Sequence, residues 1–146
     1  MRWVSLALIC GCAVVLAGCE EERTGGEVVG PLGGPRVAES VLALEVIDGV
    51  PVGITDIFVQ GEDVHLWVHW EDLDPPHEAE AVWFDPSAEQ VGFTVLEIRG
   101  RAAEQITVFT LELTQFSETG RWDVELYLDG EFQRSHSFLV VDILPG

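Results

Sequence analysis

Gly120-Arg121-Trp122-Asp123-Val124-Glu125-Leu126-Tyr127-Leu128-Asp129-Gly130 is the stretch on which the fold turns. From Trp122 to Leu128 apolar and polar side chains alternate. Successive strand residues point to opposite faces, so Trp122, Val124, Leu126 and Leu128 share one face, with Asp123, Glu125 and Tyr127 on the other. Asp129-Gly130 then supplies a two-residue hairpin turn, because glycine tolerates the positive φ that such a turn demands. The returning strand is expected from about Phe132 to Val141.

Working outward, the same pattern recurs. Val64–Trp70 alternates, with Val64, Leu66, Val68 and Trp70 on one side and His65, Trp67 and His69 on the other. Val41–Ile47, Ile54–Val59, Ala79–Phe84, Val91–Ile98 and Ile106–Leu113 read as further short strands. Arg101–Gln105 has room for one helical turn at most. The expectation is an all-β fold, an immunoglobulin-like antiparallel β-sandwich of about seven or eight strands. A small up-and-down β-barrel is the alternative. Trp83, on a middle strand, suits the buried aromatic position of such sandwiches, and Trp70 and Trp122 fall on core faces.

The 120–130 hairpin, continued by Phe138-Leu139-Val140, resembles the last hairpin of bacterial immunoglobulin-like lipoprotein domains. Those end in a Gly-x-Trp-x-Val, Asp-Gly, Phe-x-Val pattern. The resemblance is confined to this hairpin. It implies a fold and carries no catalytic residues.

At the other end, Arg2 precedes an apolar run from Trp3 to Ala17. A membrane-spanning helix needs about 20 apolar residues, so this run is too short and fits the core of a secretory signal peptide. Its end, Leu16-Ala17-Gly18-Cys19, is similar to a bacterial lipobox. The resemblance implies cleavage before Cys19, a diacylglyceryl group on its thiol and an acylated amino group. Several acyl chains on one residue anchor a protein stably where one chain is marginal. In lipoproteins an Asp directly after the lipid cysteine favours the inner membrane; here the residue is Glu20. In a double-membraned bacterium, the resemblance therefore implies the outer membrane, facing the periplasm.

The expected organisation is a signal peptide over 1–18, a lipidated Cys19 with a flexible tether over 19–36, and a sandwich domain over 37–146. The tether is rich in Gly, Pro and Glu, with an r.m.s. span of roughly 20–25 Å. Cys10 and Cys12 would leave with the signal peptide and Cys19 would carry lipid. The mature domain is then expected to lack disulfides and cysteine metal sites.

Charge narrows the function. Asp and Glu number 26 against 7 Lys and Arg, for a net charge of −19, and every basic residue is Arg. Phosphate contacts need clustered cations, so nucleic acid is excluded as a partner. Docking onto anionic lipid is disfavoured for the same reason. A hydrophobic content of 47% is too high for a disordered acidic tail. The expected partners are the membrane, through lipid on Cys19, and an envelope protein met at a sheet edge or aromatic face.

Candidate sites are few. Glu71, Asp72 and Asp74 form an acidic loop that could supply oxygen ligands to Ca²⁺, although the spacing matches no EF-hand. His65 and His69 lie four apart on a strand, roughly 13 Å, too far to share an ion. Zinc–nitrogen bonds are about 2 Å, so either one needs a ligand from a neighbouring strand. Trp67, Phe84 and Tyr127 would form a platform for a glycan or a protein if their strands were adjacent. Otherwise they pack under a loop or as cross-strand pairs. Ser40, Ser87, Ser117, Ser135 and Ser137 sit in no Gly-x-Ser-x-Gly elbow. His136 alternates faces with its neighbours Ser135 and Ser137, so no local dyad forms. No catalytic residue and no cofactor is assigned. The expected function is a non-catalytic interaction or structural module, with a Ca²⁺- or glycan-binding module as the alternative.

Overall fold

The computed structural model describes residues 34–143. Residues 1–33, which include the expected signal peptide and Cys19, lie outside the described part. Nine strands follow one another: β1 (Arg36–Ile47), β2 (Val50–Ile54), β3 (Ile57–Val59), β4 (Asp63–Glu71), β5 (His77–Phe84), β6 (Gln90–Ile98), β7 (Gln105–Glu112), β8 (Gly120–Leu128) and β9 (Glu131–Val141). They form a four-stranded sheet in the order β2-β1-β4-β7 and a five-stranded sheet in the order β3-β9-β8-β5-β6. The two sheets have separate edges, so this is a sandwich and not a closed barrel.

The alternation in β4 and β8 explains the packing. Val64, Leu66, Val68 and Trp70 from β4 and Trp122, Val124, Leu126 and Leu128 from β8 are all buried. Phe138 on β9 is the aromatic centre of this core. Its ring meets Phe58 at 5.6 Å and Trp83 at 6.2 Å edge-on, and stacks on Trp122 at 6.2 Å. Such pairs add stability beyond the area they bury. Trp70 Nε1 donates to Thr107 Oγ1 and Trp122 Nε1 to the Glu118 carbonyl, which satisfies two of the buried indoles.

The β8–β9 hairpin turns where the sequence places it, with φ of 50° at Asp129 and 80° at Gly130. A second hairpin, β1–β2, turns at Asp48-Gly49 with φ of 50° and 76°. The expected Ile54–Val59 run is two strands. The chain leaves β2 in one sheet at Ile54 and joins the other sheet at Ile57, where β3 pairs parallel to β9. Thr55 makes the bend, its Oγ1 accepting from the Ile57 N–H at 3.1 Å. Arg101–Gln105 forms no helix.

Candidate functional site

The outer face of the four-stranded sheet holds a concavity. β1 pairs with β4 only as far as Ala43↔His65. Beyond Ala43, β1 stays paired with β2 alone. The freed hairpin curls over the sheet, because Trp67 on β4 donates its Nε1 proton to the Gly49 carbonyl at 2.8 Å. That contact covers Trp67, and Ala43 on the same face is fully buried. Gly53 permits the curl: its φ is 70°, and a Cβ there would lie 3.1 Å from Leu44 Cδ1.

Between the hairpin and the sheet lies an open groove of about 940 Å³. Leu44–Ile47 form one wall, His65, Val108 and Thr110 the other, with Glu62 and Asp63 at the end. His65 Nδ1 and Thr110 Oγ1 are 2.8 Å apart, which fixes the imidazole along that wall. Ile47, Val50, Val52 and Ile54 share one face of the hairpin by register and are 42–62% exposed.

The aromatic residues singled out in the sequence do not assemble. Trp67 lies on the outer face of one sheet, whereas Phe84 and Tyr127 lie on the other sheet. Trp67 packs beneath the Asp48-Gly49 turn. Tyr127 packs edge-on to Phe132 at 5.8 Å and donates its hydroxyl proton to Glu125. That hydrogen bond, with burial and the nearby carboxylates, pushes the tyrosine pKa up.

Two of the three acidic-loop carboxylates, those of Glu71 and Asp72, are held by one cation. Arg36 Nη2 lies 2.7 Å from Glu71 and Nη1 3.0 Å from Asp72. Asp74 contributes its backbone N–H to His77 Nε2 at 3.1 Å. His77 Nδ1 in turn meets Asp129 at 2.6 Å. Since Nε2 accepts, the proton sits on Nδ1 and donates to the carboxylate. Burial alone would raise the Asp129 pKa, but the Glu78 N–H and His77 outweigh it and hold the carboxyl below its usual range. Among the described residues, the group of acidic and histidine side chains within metal-binding reach is His69, Glu71 and Glu104. Glu71 is thus grouped with a histidine and not with Asp72 and Asp74.

One polar contact escaped sequence reasoning. Ser40 on β1 and His136 on β9 are 96 positions apart, and both point between the sheets, with Oγ 2.7 Å from Nε2. Burial first, and the charge of Arg134 second, push the His136 pKa below its ordinary value. Arg134 itself donates to the Val37 carbonyl at 3.1 Å. Among the described residues no carboxylate hydrogen-bonds to His136, and Ser40 is only 8% exposed. The arrangement is a bridge between sheets. A nucleophile needs access and an oriented base, which this pair does not have.

No family model matches the chain, and no curated protein matches it. Solved structures do. An immunoglobulin-like protein from Pseudomonas aeruginosa superposes with a TM-score of 0.55 at 11% identity, covering 77% of this chain and 100% of that one. The C-terminal domain of wzt gives 0.52 at 8% identity, covering 78% and 76%. The alkylpurine DNA glycosylase AlkC from Pseudomonas fluorescens gives 0.51 at 13% identity over 73% of this chain. This chain spans 30% of the length of that glycosylase. At these identities the likeness shows the fold alone, an immunoglobulin-like β-sandwich.

Proposed function

We propose that the chain is a membrane-anchored envelope lipoprotein whose sandwich is a non-catalytic interaction module. Its ligand, on this reading, is an extended segment of an envelope protein bound in the groove under the β1–β2 hairpin. One observation carries it. Ile47, Val50, Val52 and Ile54 stand exposed beside a groove rimmed by Glu45, Glu62 and Asp63. Clustered apolar exposure marks an interaction surface. The acidic rim suits a segment that pairs apolar residues with Arg or Lys. The lipobox-like Leu16-Ala17-Gly18-Cys19 supports the anchor. The immunoglobulin-like fold is consistent with a module that carries no chemistry of its own.

The test places a photo-crosslinking residue at Val52 in the full chain in its own membranes, with Phe93 on the other sheet as the comparison position. The expected result is one protein adduct at position 52, absent at 93 and lost with Ile47→Asp. Recovery of a lone monomer at native abundance, or the same adducts from both positions, overturns the reading.

A further inference from the structure

A second constellation lies toward the other end of β4 from the groove. His69 and Glu71 are two residues apart on β4, so they share a face at about 7 Å along the strand. This is the spacing that His65 and His69 lack. Glu104 immediately precedes β7, and Trp70 on β4 pairs with Gln105. Continuing that register sets Glu104 opposite Glu71. One ligand atom from each of His69, Glu71 and Glu104 lies within 4.8 Å of the other two.

Two carboxylates directly opposite each other in a ladder repel unless a cation intervenes. Arg36 reaches Glu71 from the β1 side at 2.7 Å and continues to Asp72. It fixes the Glu71 carboxylate without exhausting it, because a carboxylate accepts at about four positions. On the β7 side, the Glu104 carboxylate approaches His69 Nε2 at 4.0 Å. An ion bound at about 2 Å holds its donors roughly 3–4 Å apart, and Glu104 is exposed enough to rotate into that range.

We propose that His69, Glu71 and Glu104 form a binding site for a divalent cation of the zinc class, with its remaining positions open to water or to an incoming donor. An imidazole in the set selects zinc, copper or nickel over calcium and magnesium, which favour oxygen alone. The Arg36 contact orients one ligand from outside, as outer partners of metal sites commonly do. A net charge of −19 concentrates cations at the surface in general, and the imidazole gives this cluster its preference. The site is separate from the groove, so neither proposal depends on the other.

The probes are Zn²⁺ and Co²⁺, titrated into the full chain in detergent micelles. The chain carries Cys10→Ser, Cys12→Ser and Cys19→Ser so that no thiol competes. One ion per chain is expected, with visible Co²⁺ absorption that Zn²⁺ displaces and excess Ca²⁺ does not. His69→Ala and Glu104→Ala should each weaken Zn²⁺ by at least ~10-fold, the lower range of losing even an outer partner. Glu97→Ala on the other sheet should leave affinity unchanged, and thermal melts should show all three variants folded. Wild-type affinity in His69→Ala, an equal loss in Glu97→Ala, or no stoichiometric uptake overturns the proposal.

Discussion

Ser40 and His136 meet between the two sheets, the serine oxygen 2.7 Å from imidazole Nε2. Burial and Arg134 make the folded protein bind a proton at this imidazole less readily than the unfolded chain does. A histidine with a depressed folded pKa contributes stability above its unfolded value, and that contribution is lost as pH falls below it. The melting temperature should therefore hold steady above the ordinary imidazole value of 6.5, decline as pH falls through it, and level off below the lowered folded value. His136→Gln should flatten the decline. Equal slopes in both proteins would remove His136 as its source.

The curled hairpin hangs on one side-chain hydrogen bond, Trp67 Nε1 to the Gly49 carbonyl. Trp67→Phe should cost about 1 kcal/mol of global stability, the usual net value of one such bond. Its larger effect should be local. Amide exchange should speed up over residues 44–54 and stay unchanged in β8. Uniform acceleration would mean that the indole supports the whole sandwich.

Phe138 touches three other aromatic rings and is 2% exposed. Phe138→Ala should lose about 3–5 kcal/mol in denaturant unfolding, typical of a large aromatic cavity. Phe93, 63% exposed on β6, provides the contrast. Phe93→Ala should stay within about 0.5 kcal/mol of wild type. Similar losses at both positions would contradict the assigned core.

Cys19→Ser should release the exported chain from membranes into the soluble fraction, because the proposed lipid attachment would be gone. Fractionation with immunoblotting reads this directly. A processed Cys19→Ser chain that still pellets with membranes would refute lipid anchoring at this residue.

Self-repulsion among 26 acidic side chains should be screened by salt. The melting temperature should rise steeply from low to molar NaCl if the acidic surface reflects salt adaptation. A flat response would leave solubility as the role of the charge.

Much of the fold is legible because burial on one face imposes a period of two. Trp122 to Leu128 and Val64 to Trp70 show it cleanly, and Asp129-Gly130 names its own turn. Ile54–Val59 misleads because its apolar residues belong to strands in different sheets, joined at Thr55. The Asp48-Gly49 turn carries the same signal as Asp129-Gly130 and was there to be found. Trp67 and Tyr127 look alike in sequence, yet only strand order separates their faces. The His69–Glu71 spacing is visible in the chain, whereas Glu104 joins them only once the β4–β7 register is known. Ser40 and His136 needed the whole topology: counted from buried Val37, strict alternation aims Ser40 outward, and the bulge between Val37 and Glu39 turns it inward.

β1 gives the molecule a direction. It starts at Arg36, beside Glu71 and Asp72, and ends at Ile47 on the groove wall. Twelve strand residues separate these two places by about 35 Å of rise. The segment leading from the proposed lipid on Cys19 joins the sandwich at the Arg36 end. The acidic and histidine cluster and the groove therefore lie toward opposite ends of one strand. β1 acts as a spar: whatever is attached ahead of Arg36 is kept a full strand length from the groove, so the two ends of the sheet can be occupied at once without touching.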